Sequence, residues 1–208
     1  GHLDEGLDVP VVNAGDGRHE HPTQALLDAS TLRARLGSLE GRRIAIVGDV
    51  LNSRVARSNI YALQELGAQI LLVGPPSLVP WRLADLLSRT DRRIGVAHDF
   101  DAILDSVDAV MMLRIQRERD AGRAISSDYR QVFGMTVDRA ARLRPEVPVL
   151  HPGPVNRGVE LDSMVLDEHP GSVVLEQVAA GVLIRAAVLK RAVGGEFLSQ
   201  EGETKSIS

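Results

Sequence analysis

The sequence has 208 residues, which is enough for one domain or slightly more. Hydrophobic residues make up 44% of the chain but aromatic ones only 3%, so the core must be built from Leu, Val, Ile and Ala. A net charge of −4, with acids and arginines interspersed, gives no sign of a nucleic-acid partner or a membrane-surface partner. The absence of cysteine excludes a disulfide scaffold, a thiolate zinc site and a cysteine nucleophile, and it fits a reducing cytoplasm. No apolar run approaches the ~18 residues of a membrane span, and we expect no signal peptide.

The first predicted element is a helix over residues 22–36, which opens at Pro22. Proline suits the first helical position because its missing N–H costs nothing there. His21, Thr23 and Gln24 therefore lie at a helix N-terminus, where unpaired N–H groups and the helix dipole favour an anion. These residue types also occur in ordinary helix capping, so by themselves they leave both alternatives open.

Five apolar segments after this helix are predicted strands, at 43–49, 69–74, 94–96, 108–113 and 147–150. Further helices are predicted at 54–66, 81–88, 100–104, 136–145 and 174–192. Strands that alternate with helices predict an α/β fold, a doubly wound (Rossmann-like) parallel sheet of about five strands with helices on both faces. Pro148 favours an edge position for the last strand.

Polar side chains follow three of the predicted strands, where ligands bind in folds of this class. They are Asp49, Asn52, Ser53, Arg54 and Arg57 after the first strand, Arg114, Gln116 and Arg117 after the fourth, and His151 to Pro154 after the fifth. Guanidinium groups bind carboxylates bidentately, so arginines that face one crevice predict a carboxylate receptor; a solvated rim of surface arginines is the alternative. The sequence has neither a Gly-x-Gly-x-x-Gly pattern nor a Gly-Lys-Ser/Thr loop, so we do not expect dinucleotide binding.

The segment 118–134 is polar and charged, with little periodicity. Long loops of this kind in compact domains are usually functional lids or disordered. Because it follows an arginine-bearing strand end, we favour a mobile loop over a static surface excursion.

Four blocks along the chain resemble the aspartate carbamoyltransferase family. They are Asn13 to Gly17 with His21 to Asp28, Val47 to Asp49 with Ser53 to Ser58, Arg114 to Arg119, and His151 to Arg157. Each block alone is moderately specific, but together they stand in the family's order, and the resemblance spans residues 9–192. It implies transfer of the carbamoyl group of carbamoyl phosphate to the amine of L-aspartate. The products would be N-carbamoyl-L-aspartate and phosphate, at an early step of de novo pyrimidine biosynthesis.

The resemblance also implies roles for individual residues. His21 and Gln24 would contact the carbamoyl group, and the backbone at Gly153 and Pro154 would approach both substrates. Arg54, Arg114 and Gln116 would hold the carboxylates of aspartate, and the loop at 118–134 would close over it. Such a reaction depends on positioning and on donors aimed at the developing oxyanion, so it implies no cofactor, metal or covalent nucleophile.

Two alternatives stand beside this interpretation. Ornithine carbamoyltransferases typically carry a Cys after the first His-Pro and a Ser-Met-Gly element, whereas this chain has Thr23 and no Cys, and Val165 follows its Ser-Met pair. Aspartate is therefore favoured over ornithine. A non-catalytic homologue that binds aspartate or serves as a scaffold is the second alternative, which the intact His21, Gln24 and arginines only partly oppose.

The sequence also departs from the family pattern. It contains no Ser-Thr-Arg-Thr phosphate-binding turn, and the family's further phosphate-binding arginine and its serine–lysine loop from a neighbouring subunit have no counterpart. We therefore expect a fragment: residues 1–36 as the end of the carbamoyl-phosphate domain with the interdomain helix, 37–172 as the aspartate-binding domain, and 173–208 as a returning helix with a flexible tail. The family's homotrimer depends heavily on the missing part.

The helices at the two ends of the chain should cross between domains if the resemblance holds. The apolar face of the last one, formed by Val174, Leu175, Val178, Val182, Ile184 and Leu189, would then need a partner. We expect exposed apolar side chains on one or both helices, since such surface usually marks an interaction site.

The incomplete phosphate site generates a first prediction. A polypeptide limited to these 208 residues, incubated with carbamoyl phosphate and L-aspartate, should yield no appreciable carbamoyl aspartate in a colorimetric ureido assay. Rapid turnover by this polypeptide would show that the residues taken to be missing are not needed.

Overall fold

The computed structural model describes residues 10–17, 19–87, 94–115 and 128–194. Within these ranges five parallel strands form one sheet, and helices connect them, which confirms the predicted α/β class. The strands are β1 (Arg43–Val47), β2 (Gln69–Val73), β3 (Gly95–Ala97), β4 (Ala109–Met112) and β5 (Val149–Leu150). The helices are α1 (Pro22–Leu36), α2 (Arg54–Glu65), α3 (Arg82–Leu87), α4 (Tyr129–Phe133), α5 (Val137–Arg142), α6 (Ser163–Glu168) and α7 (Val174–Ala192), with a 3-10 helix at Asp101–Ser106.

The sheet order is β3-β2-β1-β4-β5, so the chain reverses its direction across the sheet between β1 and β4. Parallel crossovers are right-handed, and a reversal therefore places the connections of the two halves on opposite faces. In agreement, α1 contacts α2 on one side, while α5 contacts the 3-10 helix that precedes β4. The predicted double winding follows from this order.

The central strands are buried on both faces. Ile44 to Val47 in β1 and all four residues of β4 are buried, which is why these segments are continuously apolar. β5 lies at the edge of the sheet, as Pro148 predicts. Pro148 immediately precedes β5 and takes part in the ladder as an acceptor, since its carbonyl accepts the Val110 N–H at 3.0 Å.

Several predicted bounds were wrong. The helix capped by Thr136 ends at Arg142 rather than Pro145, and the predicted helix at 100–104 is a 3-10 helix over Asp101–Ser106. Two short helices were not predicted: α4, which lies inside the segment assigned to a loop, and α6. Five or six residues are too few to display a helical period, so nothing local announces them. The part of the predicted loop over 118–127 lies outside the described residues.

A buried arginine holds α4 in place. The side chain of Arg139 is only 8% exposed, and it donates to the carbonyl oxygens of Gly134 and Gln131 at the end of α4, 2.7 Å each. The same guanidinium makes a bidentate pair with the Asp101 carboxylate at 2.7 and 3.2 Å. The unpaired carbonyls of a helix end need such a donor, and this one comes from the next helix.

The expected exposed apolar side chains are present on both helices, α1 and α7. They are Leu26 on α1 and Leu175, Val178, Val182, Leu183 and Leu189 on α7. Val174 and Ile184 depart from the prediction, because Val174 is buried and Ile184 is half-buried. In the part of the chain that the structure describes, no helix combines the length and apolar character needed to cross a membrane.

The hydrogen bonds from Arg139 to the end of α4, which we call the α4 clamp, lead to a second prediction. Replacing Arg139 by Ala removes a donor from the Gly134 and Gln131 carbonyls and the bidentate partner of the Asp101 carboxylate, which keeps Arg142. The free energy of unfolding should therefore fall by about 2–4 kcal/mol. Arg142→Ala is the matched control, because Arg142 also pairs with Asp101, at 2.6 Å, but is 47% exposed. That change should cost less than about 1 kcal/mol. Urea unfolding measures both, and equal losses would contradict the assignment of a clamp to Arg139.

Candidate active site

A cavity of about 470 Å³ opens where the carboxyl ends of β1, β4 and β5 meet the start of α1. It lies beside the reversal between β1 and β4, where doubly wound sheets form a crevice. Six of the seven predicted site residues line it: His21, Gln24, Arg54, Arg114, Gly153 and Pro154. The seventh, Gln116, lies outside the described residues, as does Arg117, and Arg57 does not contribute to the lining.

His21 stands at the N-terminus of α1 and is half-buried. Its backbone N–H donates to Ser58 Oγ at 2.8 Å, and Ser58 in turn donates to Glu20. The imidazole makes no capping bond to this helix, so the capping alternative does not describe His21. Burial, and then the charges of Arg54 and Arg185, lower the pKa of His21 below its usual 6.5. A neutral ring at physiological pH keeps one N–H to donate.

Arg54 lies against the Gly-Asp-Gly turn that precedes α1. A Cβ placed on Gly15 would be 2.9 Å from Arg54 Cζ, and Gly15 has a φ of +120°, which side chains rarely adopt. Only glycine therefore lets the backbone meet the guanidinium this closely. Asn13 Oδ1 accepts the Gly15 N–H at 2.7 Å and holds the turn.

The polar residues between β1 and α2 shape the connection. Asp49 is buried and accepts the backbone and side-chain N–H groups of Asn52 at 3.2 and 2.8 Å. Ser53 Oγ accepts the Ala56 N–H at 3.0 Å and caps α2. Asn52 and Ser53 also line the cavity. These residues bring Arg54, the first residue of α2, to the cavity wall.

Gln24 is tied to a buried carboxylate. Its Nε2 donates to Asp28 Oδ1 at 2.9 Å, one turn further along α1. The same carboxylate accepts Asn59 Nδ2 at 2.8 Å and Gln177 Nε2 at 2.7 Å. Burial raises the pKa of Asp28 to about 6, although the three hydrogen bonds and Arg185 oppose that rise. Sequence reasoning missed this group, although an acid four residues after Gln24 on an apolar face was a usable signal.

A second buried network holds the turn after β5. Gln177 Oε1 accepts the His151 N–H at 2.9 Å, and His151 Nδ1 accepts the Gly153 N–H at 2.9 Å. The other ring nitrogen lies 3.2 Å from Glu160 Oε1, which also accepts the Asn156 N–H at 2.6 Å. These contacts assign the ring proton to Nε2. Gly153 takes a φ of +70° and precedes a cis peptide bond to Pro154.

The electrostatic character of the cavity is positive. Arg54 and Arg114 approach it from different strand ends, and no Asp or Glu stands among the described residues that line it. Arg185 on α7 adds a third guanidinium nearby, with Nη2 3.4 Å from Gln24 Oε1. Sequence reasoning missed Arg185, since nothing in α7 itself shows which residues face the site. The arrangement suits an anion that also carries a carbonyl or amide group.

Comparison with known proteins identifies the family. Residues 40–192 match the model of the aspartate/ornithine carbamoyltransferase Asp/Orn binding domain. The chain belongs to the aspartate/ornithine carbamoyltransferase family. Residues 2–34 match the carbamoyl-P binding domain of this family.

Individual family members resemble the chain closely. It is 52% identical over 189 residues to the aspartate carbamoyltransferase catalytic subunit of Granulibacter bethesdensis, covering 90% of this chain and 58% of the relative. It resembles the structure of Trypanosoma cruzi aspartate transcarbamoylase in complex with carbamoyl aspartate and phosphate, with a TM-score of 0.74, 30% identity, and 85% of this chain and 57% of that one covered. It also resembles Pyrococcus furiosus ornithine carbamoyltransferase, with a TM-score of 0.72, 25% identity, and 86% and 58% covered. The chain thus spans somewhat under two thirds of the length of these relatives.

The electrostatics of His21 make a third prediction. Because Arg54 contributes to the lowered pKa of His21, Arg54→Met should raise that pKa. Arg57→Met, one turn further along α2, is the matched control and should leave it unchanged. Titration of the His21 ring resonances by NMR measures both. An unchanged pKa in Arg54→Met would show that the two side chains are not neighbours in solution.

Proposed function

We propose that this chain carries the aspartate side of a carbamoyltransferase site, together with the groups that contact the carbamoyl carbon. The reaction is the transfer of the carbamoyl group from carbamoyl phosphate to the amine of L-aspartate. One observation carries the proposal: Arg54 and Arg114 share a cavity with a half-buried His21 and an oriented Gln24. Two cations and two neutral hydrogen-bonding groups match a dicarboxylate next to a carbamoyl group.

The arginines recognise the two carboxylates of aspartate. Each guanidinium offers a planar fork of N–H donors that fits one carboxylate. Arg54 follows β1 and Arg114 follows β4, so the two forks reach the cavity from the ends of two adjacent strands. Gln116 is proposed to share the aspartate site from the same strand end as Arg114.

The carbamoyl group lies between His21 and Gln24. The amine nitrogen of aspartate attacks the carbonyl carbon, negative charge builds on the carbonyl oxygen, and the bond from carbon to the phosphate oxygen breaks. His21 donates its N–H to that oxygen, and Gln24 Oε1 accepts an N–H of the carbamoyl NH₂. The departing phosphate takes the proton that the amine loses. Groups held ready for the charge lower the barrier because they need no rearrangement during the step.

The lowered pKa of His21 suits this role. A protonated imidazole would compete with Arg54 and Arg114 for the carboxylates, whereas a neutral one only donates a hydrogen bond. Burial and the neighbouring arginines both favour the neutral form. The backbone at Gly153 and Pro154, which also line the cavity, is proposed to contact both substrates.

The same proposal covers the oligomeric state, the cellular location and the pathway of the whole protein. We propose a cytoplasmic homotrimer in de novo pyrimidine biosynthesis, supported by the resemblance and by a chain without cysteine. The ornithine alternative is disfavoured by a second arginine in the cavity, because ornithine brings one carboxylate and an additional amine that a guanidinium repels.

Ligand binding makes the fourth prediction. The chain should bind N-carbamoyl-L-aspartate at least tenfold more tightly than either citrulline or N-carbamoyl-L-asparagine. The asparagine analogue has the same size but lacks the second carboxylate, and a charged hydrogen bond contributes about 1.5–3 kcal/mol. Arg114→Gln should remove this preference, and Arg57→Gln should leave it. Isothermal titration calorimetry gives the ratios, and equal or tighter binding of citrulline would favour the ornithine alternative.

A second experiment separates catalysis from binding. The carbamoyl-phosphate part of the Granulibacter bethesdensis relative, joined ahead of residue 10, should supply the phosphate contacts. The fusion should then form carbamoyl aspartate, and His21→Ala in the fusion should reduce turnover. A fusion that binds N-carbamoyl-L-aspartate but never forms it would favour the non-catalytic alternative.

A further inference from the structure

We infer that Asp28 is a positioning residue: its carboxylate sets which end of the Gln24 amide faces the cavity and, through Gln177, holds the backbone of the 152–154 turn. This inference rests on the proposed function, because it concerns the same site. Asp28 itself does not line the cavity. It is 0% exposed and lies one helical turn behind Gln24.

The carboxylate selects one of two orientations of the Gln24 amide. An ionised carboxylate only accepts hydrogen bonds, so Gln24 must present its NH₂ to Asp28, as the 2.9 Å contact requires. The amide oxygen is then left as the acceptor, 3.4 Å from Arg185 Nη2, in a residue that lines the cavity. The carbamoyl NH₂ needs an acceptor, and this orientation supplies one. The reversed amide would direct an NH₂ at another NH₂.

The same carboxylate orients a second buried amide, that of Gln177 on α7. Gln177 also donates its NH₂ to Asp28 Oδ1, at 2.7 Å, so its oxygen is left to accept the His151 N–H. His151 Nδ1 then accepts the Gly153 N–H at 2.9 Å. One buried charge therefore fixes Gln24 on α1 and, three hydrogen bonds away, a turn that also lines the cavity.

Protonation would undo this selection. A protonated Asp28 becomes a donor through one oxygen, and at least one of its three amide partners must then turn or lose its bond. Besides Gln24 on its own helix, the groups that face Asp28 are Asn59 from α2, and Gln177 and Arg185 from α7, of which only Arg185 is charged. Burial already raises the pKa of Asp28 to about 6, which brings the change within reach of a titration.

A purely structural role would have a different signature. If Asp28 only fastened α7 to α1 and α2, its replacement would lower stability without affecting ligand contacts. The control for that role is Thr31→Val. Thr31 is buried on the same helix and donates to Leu27 O at 2.9 Å, but it bonds to no residue of the cavity. Comparing the two variants therefore separates helix packing from positioning.

The fifth prediction tests the inference on the 208-residue chain with N-carbamoyl-L-aspartate as the probe. Asp28→Asn keeps the size of the side chain but removes the charge that selects the amide orientations. Its dissociation constant should rise about tenfold or more, the value of one charge-assisted hydrogen bond. Thr31→Val should bind as the unmodified chain does, even if its melting temperature is lower. An Asp28→Asn dissociation constant within twofold of the unmodified value would overturn the positioning role.

A second measurement needs no variant. In the unmodified chain, the side-chain NH₂ resonances of Gln24 and Gln177 should shift together with the Asp28 carboxyl carbon, with one midpoint near pH 6. Amide resonances of Gln24 and Gln177 that do not shift as Asp28 titrates would overturn the inference, even if Asp28→Asn failed to fold. Failure of the unmodified chain to bind N-carbamoyl-L-aspartate would instead overturn the proposed function, and with it any role for Asp28 in that reaction.

Discussion

The parallel pairing of β1 with β4 is the constraint on which the site depends. Residues 44–47 of β1 pair with residues 109–112 of β4 in register, so both strands end at the same edge of the sheet. β1 also pairs with β2, so the chain must leave the centre of the sheet in both directions. The cavity opens at that division, and Arg54 and Arg114 reach it because each follows one of the two strands. A slip of one residue between β1 and β4 would turn their buried side chains to the opposite face.

A buried polar network supplies the precision that strand pairing alone does not. Asp28, Gln177 and His151 lie away from solvent and connect α1, α7 and the strand end after β5. Keeping the Asp28 carboxylate ionised in that environment is unfavourable: a pKa near 6 instead of 3.8 costs folding roughly 3 kcal/mol above that pH. The sign follows from linkage, since a raised carboxyl pKa favours the folded state at low pH and disfavours it as pH rises through 6. Groups retained at such a cost are typical of sites that require a fixed geometry.

The arginines of this protein serve two distinct purposes. Arg139 donates its hydrogen bonds to carbonyl oxygens and to a carboxylate, and it holds α4 and the 3-10 helix in place. Arg54 instead lies against Gly15 and lines the cavity. The sequence around these residues does not distinguish the two roles, because both are arginines in segments where acidic and basic residues are interspersed. Their surroundings do, since acceptors surround the Arg139 guanidinium, whereas Arg54 lines a cavity to which the described residues contribute no Asp or Glu.

The sequence by itself determined the strands, the long helices and the chemistry of the strand ends. Continuous apolar runs and glycine stops act within a few residues, and the block around His21 and Gln24 is contiguous. Only the tertiary structure decided which polar groups meet. Asp28 and Gln177 are 149 residues apart, and no local pattern pairs them. The short helix α4 likewise depends on Arg139, which lies beyond its own end. The physical reason is the distance along the sequence over which each effect acts. Periodicity and capping involve residues a few positions apart, whereas a buried hydrogen bond forms between distant residues only when packing removes water from both partners.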